Sequence, residues 1–191
     1  MARTLRVATS GLEPYGAFAV GCASLSVSTS LAGHLLSGPV SRIGHSALTG
    51  GWVLTPAEIV RALTATTVVP IGEELILRGV LMKALVSRLR PRAAVLTSAG
   101  VFASYHIFPT QMAVALTLGF VNGLAYSRTR SVVPCIAGHV AWNTVATVLG
   151  FTAPHSAAFV VAIATPALAV SALSFWRWSH VPASQVPDQA P

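Results

Sequence analysis

The stretch Pro70-Ile71-Gly72-Glu73-Glu74-Leu75-Ile76-Leu77-Arg78-Gly79 sets two adjacent acids and an arginine in the middle of a long apolar segment. The chain has only five acidic residues in 191, and two of them stand here side by side. Carboxylates in an apolar setting are costly unless they are paired, hydrated or functional. Glu73 and Glu74 are therefore the first candidates for chemistry. The apolar sequence around them decides the fold class.

Outward from that stretch, apolar residues make up 53% of the chain and charged residues 9%, with a mean hydropathy of +0.69. Soluble domains carry about 25% charged residues, so the composition belongs to the membrane class. The formal net charge is +7, a value that raises the question of nucleic acid. The Lys and Arg residues, however, lie mostly at the ends of apolar runs, where lipid headgroups and water would meet them. No basic stripe interleaved with aromatics is present, and no nucleic-acid partner is expected. Cys22 and Cys135 are far apart and form no C-x-x-C, so neither a disulfide framework nor a thiolate metal site is supported.

The expected fold is all-α, a polytopic membrane bundle of about six transmembrane helices. A retained first helix covers roughly 15–36. A Gly-rich connector carrying Arg42 and His45 then leads to Thr55-Pro56-Ala57-Glu58, which has the composition of an N-cap, a first-turn proline and a capping box. The second helix should run to about Leu89, with a kink near Pro70, one turn before the glutamates, that frees carbonyls and admits water. Pro91 restarts the chain as a third helix, closed by Pro109 beyond His106. A fourth covers about 110–127, a fifth 131–151 and a sixth about 155–178, with Phe175, Trp176 and Trp178 as interfacial anchors. Residues 1–178 form a single membrane-embedded domain with a motif-bearing core over 56–151, and 179–191 form a disordered tail. With six spans, Arg3, Arg6, Arg88, Arg90, Arg92, Arg128, Arg130 and Arg177 all fall on one side. The positive-inside rule then places both termini in the cytoplasm and the protein in the cell membrane as a multi-pass chain.

At about 100° per residue, Glu73 and Glu74 point to different faces of their helix. Arg78 follows Glu74 by four residues, the favourable spacing for an acid-then-base pair. It follows Glu73 by five, roughly 140° away around the helix. Arg78 thus neutralises Glu74 and leaves Glu73 free to titrate, as a general base or acid must. The alternative is a structural ion-pair knot that fixes a helix arrangement.

Phe102 and His106 are four apart and share a face, as do His139 and Asn143. Depth can be counted from the nearest cytoplasmic arginine at about 1.5 Å per residue. Glu73 then lies about 22 Å from Arg88, His106 about 21 Å from Arg92, and His139 and Asn143 about 14 and 20 Å beyond Arg130. Four polar side chains on three helices fall at similar depth, so they can converge. Each also has a plainer role: an intramembrane His or Asn can simply bond a neighbouring carbonyl, and Phe102 can simply pack. Asn122 is read as such interhelical glue, and Lys83 as a snorkelling cation.

Glu73-Glu74-x-x-x-Arg78, Phe102-x-x-x-His106 and His139-x-x-x-Asn143, in that order on apolar helices, resemble the CPBP family of intramembrane proteases. That family takes in CAAX prenyl proteases and bacteriocin-processing enzymes and is related to the Abi proteins. The resemblance covers about Glu73 to Asn143 and implies peptide-bond hydrolysis within the membrane, on a peptide or membrane-protein substrate. It implies Glu73 as the base that activates water, His106 as a residue that holds or polarises that water, and His139 and Asn143 as oxyanion stabilisers. Glu74 and Arg78 would order the site. Glu73, His106 and His139 have the composition of a His₂Glu zinc set. Without an H-E-x-x-H motif, metal-independent catalysis is the favoured expectation and no cofactor is required. Two competing functions use the same residues differently: a non-catalytic membrane immunity or scaffold protein, and a proton-coupled transporter with Glu73 as relay. The absence of an inverted repeat weighs against the transporter.

Overall fold

Thr55-Pro56-Ala57-Glu58 opens its helix as its residues prescribe. The Thr55 side chain accepts the Glu58 N–H, the Glu58 carboxylate accepts the Thr55 N–H at 2.8 Å, and Pro56 occupies the first turn. In the computed structural model, residues 13–37, 55–151 and 157–180 are described. The Gly-rich connector with Arg42 and His45, the short link at Pro154 and the tail from 181 lie outside the described residues, as do Arg3 and Arg6.

The described residues form six helical rods and no strand. The first is α1 (Glu13–Ser37). The second is an unbroken helical run made of α2 (Pro56–Leu63), a π-helical segment (Thr64–Val68), α3 (Val69–Glu74), a second π-helical segment (Leu75–Met82) and α4 (Lys83–Val86). Then follow α5 (Pro91–Ser104), α6 (Pro109–Thr129), α7 (Val133–Phe151) and α8 (Ala157–Ser179). The all-α class and the number of rods match the expectation from sequence. Among the described residues no helix is long and apolar enough to cross a membrane.

The break expected at Pro70 takes the form of a change in helical register. Proline cannot donate to the ladder. The Val69 N–H, just before it, reaches back five residues to the Thr64 carbonyl. In that register the next donor would serve the Ala65 carbonyl, and it is missing because residue 70 is proline. π turns of this kind occur mostly at functional sites.

Packing assembles two layers around the second rod. α1 lies against α8 and α7, and α5 lies against α6. α3 and the first π segment rest on α7, while the second π segment touches α5 and α6. Close approach depends on small residues. A Cβ on Gly119 would stand 3.0 Å from the Ala99 backbone, and one on Gly138 would stand 2.7 Å from Phe18 and 2.8 Å from the Cys22 sulfur. Ser26 donates to the Trp142 carbonyl, Ser28 to that of Ala164, and Ser171 to that of Gly21, so the serines of α1 and α8 act as cross-links. Phe175 and Trp178, two of the aromatics read as interfacial anchors, pack on Phe18 with ring centroids 5.8 and 5.1 Å apart. Of the three aromatics only Trp176 stays exposed, at 59%. Both cysteines are free and buried.

Candidate active site

The two glutamates part company at once. Glu74 is fully buried, whereas the Glu73 side chain keeps 24% of its surface open. Their neighbouring positions on one helix send them to different faces.

One oxygen of Glu74, Oε1, accepts from three helices. Arg78 Nη1 donates at 3.0 Å from the same helical run, Asn122 Nδ2 at 3.0 Å from α6, and His139 Nδ1 lies at 2.9 Å on α7. Arg78 is equally buried; its Nη2 donates to the Gly119 carbonyl at 2.8 Å, and its guanidinium lies 5.6 Å from the centroid of the Phe102 ring. Every donor–acceptor assignment here follows from chemistry: a carboxylate accepts, and guanidinium and amide N–H groups donate. His139 must therefore carry hydrogen on Nδ1. That leaves Nε2 for the open side, where it lies 3.6 Å from Glu73 Oε2.

His106 is oriented in the same way, but from the turn just after α5, since that helix ends at Ser104 and does not continue past His106 to Pro109 as expected from sequence. Its Nδ1 lies 2.9 Å from the Phe102 carbonyl, an acceptor, so Nδ1 carries hydrogen and Nε2 is the free nitrogen. Phe102 sits edge-on between the two imidazoles, 5.1 Å from His106 and 5.5 Å from His139 by ring centroids. Glu73 lies within electrostatic range of both histidines. The structure thus brings together Glu73, Glu74, Arg78, Phe102, His106 and His139, from three separate helical rods and the turn that follows α5.

Asn143 is placed differently. It stands one turn beyond His139, and its Nδ2 donates to the Ala65 carbonyl at 3.0 Å. This is the carbonyl that the π register and Pro70 leave without a backbone donor. Asn143 therefore ties α7 to the start of the Pro70 turn, at the edge of the cluster and above the level of Glu73. Glu73, His106 and His139 do not form a metal-holding group: among the described residues, no three His, Cys, Asp or Glu side chains could hold an ion.

Two participants were not among the expected site residues. Asn122, read only as glue, donates directly to Glu74. The depth count contained the signal, since Asn122 precedes Arg130 by eight residues, about 12 Å by rise, close to the level of His139. Tyr105 stacks on His106 at 5.1 Å with 49% of its surface exposed, lining the open side of the site. Lys83 is exposed near the end of its rod, as a snorkelling side chain would be. A surface cavity of about 460 Å³ between α1, α6 and α8, lined by Phe18, Leu124 and Phe175 among others, contains none of the polar cluster.

Residues 55–145 match the family model described as type II CAAX prenyl endopeptidase Rce1-like. That segment is similar to the Rce1-like family. The match agrees with the CPBP resemblance carried by the three motifs. The Rce1-like segment begins at the Thr55 N-cap and ends two residues after Asn143, so it contains every residue of the polar cluster and excludes α1 and α8. Comparison with curated proteins and with solved structures found no match.

Proposed function

We propose that this chain is an intramembrane endopeptidase that hydrolyses a peptide bond with a water activated by Glu73. The observation that carries the reading is the unequal placement of adjacent acids. Glu74 is saturated on one oxygen by Arg78, Asn122 and His139, while Glu73 faces the open side beside an oriented imidazole. The Rce1-like match supplies the reaction class, since the family is one of endopeptidases.

In this mechanism a water sits against the Glu73 carboxylate, with His106 Nε2 accepting its second hydrogen. Glu73 removes a proton as the water oxygen bonds to the substrate carbonyl carbon, and the carbonyl electrons move onto oxygen. His139, whose Nδ1–H is held by Glu74, receives that proton from Glu73 on Nε2, and the imidazolium so formed, with Glu74 as its counter-charge, donates Nε2–H to the oxyanion. The same proton then passes from Nε2 to the departing amine as the C–N bond breaks, which returns His139 to its Nδ1–H form, so proton and charge balance. Asn143 acts by holding α7 against the Pro70 turn.

Insertion in a bilayer is part of the proposal. Among the described residues no single helical segment has the length and apolarity of a span; support comes from composition and from the exposed surface. Ile59, Val60, Leu63, Val68, Val69, Leu75, Ile76 and Val80 are all exposed along the second rod. Taken end to end, that rod rises about 45 Å, more than the roughly 30 Å of a hydrocarbon core. The substrate is then a peptide or membrane protein that reaches Glu73 from the open side.

The test is comparative peptidomics of cells carrying wild type or Glu73→Gln. A precursor should accumulate uncut in the variant, with its product lost. Identical peptide profiles together with unchanged cellular function would favour the scaffold role, and substrate uptake by proteoliposomes without hydrolysis would favour transport.

A further inference from the structure

Asn122 lies outside all three motifs, yet it is fully buried at the meeting point of three rods. Its Nδ2 donates to Glu74 Oε1 at 3.0 Å and to the Cys135 carbonyl at 3.1 Å, so both amide hydrogens are used. This settles which way the amide faces, because a flipped group would set Oδ1 against a carboxylate oxygen and a carbonyl oxygen. Oδ1 itself has no hydrogen-bond partner among the described residues. It occupies space that Gly138 leaves free: a Cβ there would stand 3.3 Å from it. The backbone is held as well, since the Cys135 thiol donates to the Asn122 carbonyl at 3.3 Å. Cys135 and Gly138, one helical turn apart on α7, thus lie against one side chain of α6, and His139 shares its acceptor, Glu74 Oε1.

We propose that Asn122 is a positioning residue of the site: by fixing Glu74 Oε1 in place it sets the orientation and tautomer of His139. The activity readouts below rest on the peptidase reading. Of the three donors on Oε1, Arg78 carries the charge and His139 is the group being aimed. Asn122 is the neutral donor, reaching Oε1 from the α6 side, and α7 supplies the Cys135 carbonyl that holds it. Without it, the Glu74 carboxylate is free to turn towards Arg78, whose Nε has no partner among the described residues, and the line from Oε1 to His139 Nδ1 is lost. The carboxylate behind His139 then no longer dictates which ring nitrogen carries hydrogen. A burial role alone would need only a side chain of similar volume. A positioning role needs an N–H or O–H aimed at Oε1.

Two variants separate these. Asn122→Ala removes the donor and should lower kcat by about tenfold to a hundredfold, the effect of losing one hydrogen bond to a charged group, with KM within about twofold of wild type. Asn122→Asp is nearly isosteric. When ionised it repels Glu74, and when protonated its O–H replaces the amide donor. Its kcat relative to wild type should therefore rise as the pH is lowered, while the same ratio for Asn122→Ala stays flat. Wild-type kcat in Asn122→Ala, or a pH-independent ratio for Asn122→Asp, would overturn the proposal. If Asn122→Ala does not fold, the Asp ratio alone decides.

A readout independent of catalysis is ¹⁵N-histidine NMR of the full chain in detergent. Wild type should show His139 hydrogen on Nδ1, and Asn122→Asp at neutral pH should show that assignment weakened or reversed. An unchanged tautomer would contradict the positioning role. A wild-type protein that cleaves no peptide would defeat the peptidase reading and leave this spectrum to judge Asn122.

Discussion

At Glu74, three donors from three helical rods converge on one oxygen while the other oxygen, Oε2, has no partner among the described residues. Such a group is stable only as a unit. Removing one partner of a buried ion pair strands the other charge and costs about 3–5 kcal/mol. Arg78→Leu should therefore lower the unfolding free energy in detergent by that order, and Arg78→Lys should rescue little. A lysine cannot make the forked contact to Glu74 and the Gly119 carbonyl together. An Arg78→Leu protein that unfolds like wild type would dismiss the knot. The Glu74–Arg78 pair was readable from four-residue spacing alone. The bond from Asn143 to Ala65 was not, because its acceptor is a backbone carbonyl that becomes available only in the folded π turn.

The second helical run explains why that carbonyl is free. Pro70 is fully buried and stands two residues after the end of the Thr64–Val68 π segment. A proline inside an apolar helix announced a local break; its form as a π turn needs the packing of α7 to be seen. Pro70→Ala would return an N–H able to compete for the Ala65 carbonyl. The helix should gain up to about 1 kcal/mol from the added bond, while Asn143 loses its acceptor. Thermal stability should hold or rise as peptide cleavage falls; a Pro70→Ala enzyme with full activity would separate the π turn from function. Between α5 and α6 the constraint is space. Gly119→Ala sets a Cβ 3.0 Å from the Ala99 backbone, and overpacking of this sort costs about 1–3 kcal/mol. Because Gly119 also supplies the carbonyl that Arg78 binds, the same change should reduce activity as well as the unfolding midpoint. Unaltered values of both would show that the two helices have room to part.

Across the whole molecule, the Rce1-like segment carries the polar cluster, while α1 and α8 close around it through small residues and serine bonds. Composition made the all-helical class legible, and the depth count made the convergence of Glu73, His106 and His139 plausible, because both depend on period and rise alone. Helix rotation was out of reach, and with it the placement of Asn122 and the packing of Phe175 and Trp178 on Phe18. If the exposed apolar faces meet lipid, the protein should stay with the membrane pellet through alkaline carbonate extraction, and its release into the supernatant would count against insertion. The division between the two acids is tested most directly by kcat/KM for peptide cleavage by purified wild type and Glu73→Gln, measured beside their unfolding midpoints. Glu73→Gln should keep the wild-type midpoint and lose at least about a hundredfold in kcat/KM, the lower range for a general base. Cleavage at the wild-type rate by a folded Glu73→Gln protein would contradict the role of Glu73.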